Sequence, residues 1–191
     1  RMGSASVAVD LLISRDEVQS NELAEIIERQ NSLRQQEDQK TFHEACDIIE
    51  KKYKDINAAS CLVISSDDWH PGVIGIVASK LVEKYYRPVV MISFKEGFGS
   101  GSGRSVEDFD LFAALRASGD NLHSFGGHKY AVGFTIYQEY IDRFENELTR
   151  YVSEHLQLEQ IRTPLFVNFE LELYDINDIL MEWIERFAPF G

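Results

Sequence analysis

Cys61-Leu62-Val63-Ile64-Ser65, then Trp69-His70-Pro71-Gly72, Val73 to Tyr85, Arg87-Pro88 and Val89 to Ser93 form the stretch that decides the fold. The first five residues are a short apolar run of strand type, followed by the acidic turn Asp67-Asp68 and the breaker pair Pro71-Gly72. A helix is expected from about Val73 to Tyr85, ended by Arg87-Pro88, and a second buried strand from Val89 to Ser93. Strand, helix and strand with short connections predict a parallel crossover, and with it an α/β fold whose parallel or mixed sheet is flanked by helices.

Downstream of that unit, Gly97 to Gly103 alternate small residues, and Asp110 to Ala117 reads as a short helix stopped near Gly119. Ala131 to Tyr137 is a third strand candidate. Tyr140 to Leu156 is amphipathic, with Ile141, Phe144, Leu148, Tyr151 and Val152 on the core face. Upstream, Ser14-Arg15-Asp16-Glu17 has the form of a capping box, and no Gly or Pro occurs from Ser4 through His70, so a long helix is expected to start there. Its apolar stripe is interrupted by the wholly polar Arg34 to Thr41. That pattern fits a solvated connector docking two bodies, and it fits equally a surface helix of one domain. Past Pro164, Leu165 to Leu171 resembles a strand and Ile176 to Phe187 a helix, which leaves an apolar ending with nothing after it to pack on and suggests truncation. The opening Arg1-Met2-Gly3-Ser4 reads as a cloning remnant.

The 191 residues, 44% hydrophobic, suffice for one good core. No apolar run long enough for a membrane span and no secretion signal is visible, so a cytoplasmic location is expected. Cys46 and Cys61 lie in apolar surroundings without a C-x-x-C pair, which favours buried reduced thiols. The formal charge of −13 argues against a broad nucleic-acid track. The excess lies in the flanks, however: residues 61–137 hold 8 acids and 7 bases, whereas residues 1–60 hold 12 and 8 and residues 138–191 hold 12 and 4. A small anion pocket in the central segment is compatible with that distribution.

Two glycine-bearing segments in this segment are candidates for such a pocket. Gly101-Ser102-Gly103-Arg104-Ser105 and Gly126-Gly127-His128-Lys129 are expected as turns in which backbone amides converge on an anion. Arg104 would fork onto phosphate oxygens, His128 would donate from an imidazole nitrogen, and Lys129 would add attraction. Each has a plainer reading: a tight turn for the glycines, a surface ion pair for Arg104, a packed ring for His128. His70 is expected to cap the following helix, Trp69 to close the core, and Gly72, Gly75 and Ala78 to permit close helix-on-sheet packing.

Taken in order, Trp69-His70-Pro71-Gly72-Val73-Ile74-Gly75-Ile76-Val77-Ala78-Ser79, Arg87-Pro88, Gly101-Ser102-Gly103-Arg104-Ser105 and Gly126-Gly127-His128-Lys129 with Gly133 resemble the DHH-associated domain of the RecJ family of single-stranded-DNA-specific exonucleases. The resemblance implies a division into the end of a catalytic domain with a connector helix (residues 1–56), the DHH-associated domain (57–155) and the start of an OB-fold region or a closing strand and helix (156–191). It implies a role in DNA repair and recombination: 5′-to-3′ degradation of single-stranded DNA by a catalytic domain carrying manganese or magnesium. The Asp-His-His ligands are not among the five histidines and their neighbours, so the chain alone is expected to be inactive, with no metal and no catalytic residue of its own. Its implied part is to grip phosphates of the 5′ end through Ser102, Arg104, Ser105, Gly126, Gly127, His128 and Lys129. Tyr130 and Val132 depart from the alanines usual in the family, which implies tighter or shifted packing after His128. Two other readings stand beside this one: a DHH-type hydrolase of oligonucleotides or cyclic dinucleotides, whose relatives more often have a third glycine where Phe125 stands, and a non-catalytic nucleic-acid-binding module.

Overall fold

The computed structural model describes residues 4–107, 109–156, 167 and 169–189. In chain order its elements are helices α1 (Ala5–Ile13) and α2 (Glu17–Lys52), strand β1 (Leu62–Ser66), helix α3 (Ile74–Tyr85), strands β2 (Val89–Lys95) and β3 (Phe98–Arg104), helix α4 (Leu111–Ala117), strands β4 (Ser124–His128) and β5 (Ala131–Tyr137), and helices α5 (Ile141–His155) and α6 (Asp178–Glu185). The five strands form one mixed sheet in the order β1-β2-β3-β5-β4. β1 and β2 are parallel, with Leu62 opposite Val89, and α3 makes the crossover between them; every other pairing is antiparallel.

The two glycine segments are strands, not turns. β3 pairs with β2 along its length and β4 pairs with β5, although neither sequence has the β-branched content of a typical strand. Neighbouring side chains explain this. The Phe134 ring of β5 lies across Gly101, occupying the space a Cβ there would need, and Gly103 is similarly filled by Val132 and Leu111. The turns lie one step further on. Glu96-Gly97 joins β2 to β3 with both φ values positive, the two-residue geometry that matches strand twist. Lys129-Tyr130 joins β4 to β5.

The sheet is covered unequally. On one face Val63, Val90, Ile92, Phe94, Val132, Phe134 and Ile136 pack under α4 and α5, through Leu111, Leu115, Phe144, Leu148 and Val152, so this core spans β1, β2 and β5. On the other face only the β1-β2 half is covered: Leu62, Ile64, Val89 and Met91 meet Ile74, Val77, Ala78 and Leu81 of α3 and Ala45 and Ile49 of α2. Trp69 belongs to this second core and is buried, its indole N–H donating to Glu44 at 3.1 Å, while His70 Nδ1 accepts from the Gly72 amide at 2.9 Å. Both free cysteines are buried.

The long helix differs from expectation at two points. Asp16, not Ser14, caps α2, accepting from the Gln19 amide at 2.9 Å, because residues 5–13 form a separate helix whose C-cap is Ser14 and whose N-cap is Ser4. The polar stretch before Thr41 is not wholly solvated: Asp38 and Thr41 are buried, and Asp38 receives Lys80 of α3 at 2.8 Å. Docking of α2 onto α3 therefore begins one turn earlier than its apolar stripe indicates. Most of the strand expected over Leu165 to Leu171 lies outside the described residues, and Phe169 to Leu171 make no strand pairing. Of the helix expected from Ile176, Asp178–Glu185 is present. No helix among the described residues is long and apolar enough to cross a membrane.

Candidate nucleic-acid interface

Strand pairing brings the two segments together. Arg104 is opposite Ala131, and His128 is opposite the same Ala131 from the other side, so all three occupy one row across β3, β5 and β4. Directly opposed residues share a face. Two strand spacings separate the Arg104 and His128 backbones, roughly 10 Å, a gap that both side chains reach into. The next rows on this face are Ser102, Gly133 and Gly126, then Ser100, Thr135 and Ser124. This is the half of the sheet that no helix covers. It is a floor of glycines and hydroxyls with a guanidinium and an imidazole at one end.

The floor is bare. A Cβ on Gly126 would meet nothing within 4 Å, and one on Gly133 would meet only the Gly101 carbonyl oxygen at 3.9 Å. A ligand can therefore lie against the backbone here. Ser124 and Thr135 hydroxyls are hydrogen-bonded to each other at 2.6 Å at its edge.

Arg104 is partly buried between β3 and α3. Its Nη1 donates to Ser102 Oγ at 3.2 Å and to the Gly103 carbonyl at 2.8 Å, and none of the ion pairs among the described residues involves it. Burial alone lowers its pKa, and no carboxylate offsets that cost. Arg87 makes the contrast. It too has a pKa lowered chiefly by burial, but its Nε, Nη1 and Nη2 all donate, to the carbonyls of Ala59, Tyr85 and Asn57. Arg87 is a structural bolt, whereas Arg104 keeps donors and an unneutralised charge for an anion. Room for it comes from Gly75 in the first turn of α3, where a Cβ would stand 3.0 Å from both Arg104 Nη2 and Ser102 Oγ. The positive end of the α3 dipole adds to the potential at this spot.

His128 is exposed, and its Nδ1 accepts from the Tyr130 amide at 3.4 Å. That bond places the neutral ring's proton on Nε2, leaving a donor free for a phosphate oxygen. Three other candidates sit differently. Ser105 Oγ donates to the Phe109 carbonyl at 2.9 Å, so its hydroxyl holds the loop after β3. Gly127, at φ +139, has its missing Cβ blocked by the Ala131 carbonyl and so serves the bend of β4 toward its hairpin. Lys129 lies in the hairpin turn with Nζ 5.0 Å from the Tyr130 ring centre. Ser100, Thr135, Ser124 and Gly133 join the floor without having been singled out as a site. The alternation of small residues from Gly97 to Gly103 is the signal that marks such a face once the segment is recognised as a strand.

Among the described residues no group of three or more His, Cys, Asp or Glu side chains could hold a metal ion. The donor set does not fit a catalytic divalent centre, and no chemical step is derived from one here.

The DHHA1 domain matches residues 57–154. The single-stranded-DNA-specific exonuclease RecJ of Bacillus subtilis is 34% identical over the whole chain, and that of Thermus thermophilus is 32% identical over 80% of it. The chain spans 24% and 22% of the lengths of those two relatives. Among solved structures, Thermus thermophilus RecJ in complex with Mg²⁺ superimposes with a TM-score of 0.70 at 29% identity, covering 78% of this chain and 23% of that one. A second structure, exonuclease RecJ bound to manganese, gives 0.69 at 29% identity, covering 79% of this chain and 37% of that one.

Proposed function

The chain belongs to the DHHA1 domain family, and from that premise we propose that it is the substrate-binding portion of a RecJ-like exonuclease acting on single-stranded DNA. On this reading residues 57–155 form the domain that grips the strand, α2 links it to a catalytic domain in cis, and residues 156–191 begin the region that follows. Hydrolysis from the 5′ end belongs to that catalytic domain, which would hold manganese or magnesium. The residues described here would fix the strand so that its terminal phosphodiester meets the metals in one orientation, converting a loose encounter into a positioned one.

The observation that carries this reading is the partly buried Arg104 guanidinium with no carboxylate beside it, on the same row as His128 and facing a bare backbone floor. Arg104 takes two oxygens of a phosphate, Ser102 orients the guanidinium, and His128 Nε2 donates to the same phosphate or the next. The test is binding of 5′-phosphorylated and unphosphorylated single strands to this chain. Arg104→Ala is expected to weaken the phosphorylated ligand by about 1.5–3 kcal/mol, the worth of one charged hydrogen-bonded contact, and the unphosphorylated ligand much less. Equal affinities for both ligands in wild type and variant would remove the assignment.

A further inference from the structure

The floor does not stop at the hydroxyl rows. Continuing along β3 and β5, the next opposed pair on the same face is Phe98 with Tyr137, and the ring of His123, just before β4, joins them. The three centroids are 5.2 Å (Phe98 to Tyr137), 5.6 Å (His123 to Tyr137) and 5.7 Å (Phe98 to His123) apart, each pair edge to face at 65–75°. Rings that close a core are buried. Here Tyr137 is 45% exposed and His123 is exposed as well. Six residues of β3 separate Phe98 from Arg104, about 20 Å of strand. The open face is thus a track with a charged clamp at one end, small and polar residues in the middle, and an exposed aromatic cluster at the other.

We propose that Phe98, His123 and Tyr137 form a base-stacking subsite for single-stranded nucleic acid, occupied by a nucleotide downstream of the phosphate held at Arg104. The proposal rests on the phosphate-binding reading of Arg104 and His128 and adds a second point of attachment to it. Two features favour a base over a second phosphate. Every nucleobase has a π-face, so an aromatic platform holds a strand without regard to sequence. The charged residues flanking the cluster, Lys95, Glu96 and Glu139, carry one base against two acids, so a phosphate gains nothing by turning inward there, whereas an uncharged base does. A strand gripped by its phosphate at one end and by a base at the other has its register fixed over about six nucleotides at the 3.4 Å spacing of a stacked strand, and over fewer when extended.

The experiment is a length series of 5′-phosphorylated oligothymidylates, from two to eight nucleotides, titrated against this chain by calorimetry. Affinity is expected to rise with length and level off once the strand spans the face. Tyr137→Leu and His123→Ala are expected to lower the plateau fivefold or more, the low end of what one stacked base supplies, while leaving the dinucleotide unchanged. Replacing the distal thymidines by abasic residues is expected to do the same to wild-type protein, a readout no folding defect can imitate. If both variants follow the wild-type curve at every length, or if abasic residues cost nothing, the subsite does not exist. Should Arg104→Ala lose the dinucleotide while the aromatic variants lose nothing, the phosphate reading stands and the stacking proposal alone falls. Failure of the wild type to bind any oligonucleotide overturns both.

Discussion

Gly75 separates stability from binding more cleanly than any other position, because the side chain it lacks would point at Arg104 and Ser102. In Gly75→Ala the new Cβ starts 3.0 Å from Arg104 Nη2 and from Ser102 Oγ, where ordinary contact begins at 3.4–4 Å. The guanidinium, the free end of a flexible side chain, must therefore move by about 0.4–1 Å, by subtraction of those distances. Folding tolerates this. Alanine in a helix is worth about 0.5–1 kcal/mol over glycine, which offsets the displacement, so the melting temperature should stay level or rise slightly. Binding should not tolerate it, because a guanidinium shifted by that much no longer forks onto two phosphate oxygens while held by Ser102 and the Gly103 carbonyl. Complete loss of a charged hydrogen bond costs about 1.5–3 kcal/mol, and a partial loss near 1 kcal/mol is about a fivefold weakening. Thermal denaturation and titration with a 5′-phosphorylated hexanucleotide measure the two quantities on one preparation. Gly126→Ala is the companion: its Cβ meets nothing in the protein, so stability should hold and any fall in affinity reports a ligand lying on the floor. A Gly75→Ala protein that melts like wild type and binds like wild type would show that the guanidinium at this position does not grip the strand.

Gly101→Ala places a Cβ within the Phe134 ring and should cost about 1–3 kcal/mol as overpacking, read as a lower urea midpoint; a Phe134→Leu background should relieve part of it, and strict additivity would contradict the packing described. Burial pushes the Cys61 thiol up to about 12, so it should resist iodoacetamide at pH 8.5 in the native protein and react once unfolded. Because the native state holds that proton more tightly, the stability it contributes is complete below the unfolded thiol value near 8.5 and is lost as pH rises toward 12; a pH-independent urea midpoint across that window would contradict the assignment.

The crossover from Leu62 to Ser93 was legible because its signals are local: two apolar runs, a helical period between them, and a proline after the helix. The same holds for Ala131 to Tyr137, whose valine, phenylalanine and isoleucine alternate cleanly. β3 and β4 were not legible as strands, because what makes them strands lies elsewhere in the chain. Gly101 is held flat by Phe134, 33 positions away, and β4 exists by pairing with β5. Local propensity ranks such glycines as turn residues and loses to tertiary packing. Arg104 and His128 could be picked out by residue type, yet their alignment through Ala131 is a fact of register that no spacing in the sequence encodes. Asp38 failed for a related reason. A carboxylate in a polar run reads as solvated unless the lysine that neutralises it, 42 residues later on α3, is known to face it.

An acidic domain with a single unneutralised guanidinium is suited to a different task from a basic one. A strip of lysines and arginines attracts a polyanion anywhere along its length, with affinity that collapses as salt rises. Residues 61–137 offer near balance, 8 acids to 7 bases, between flanks that are strongly acidic. Screening confines each charge to roughly 8–10 Å at ordinary ionic strength, so the field felt on the open face is set by its own few residues, and the flanks act beyond it as a repulsive border. A strand laid across that border would carry phosphates into the acidic flanks on both sides. A strand that ends at Arg104 meets the border on one side only and presents its most highly charged phosphate to the unpaired guanidinium. On the proposed reading, then, preference for a terminus needs no steric wall: it follows from placing one strong anion site at the rim of a surface that otherwise disfavours polyanions.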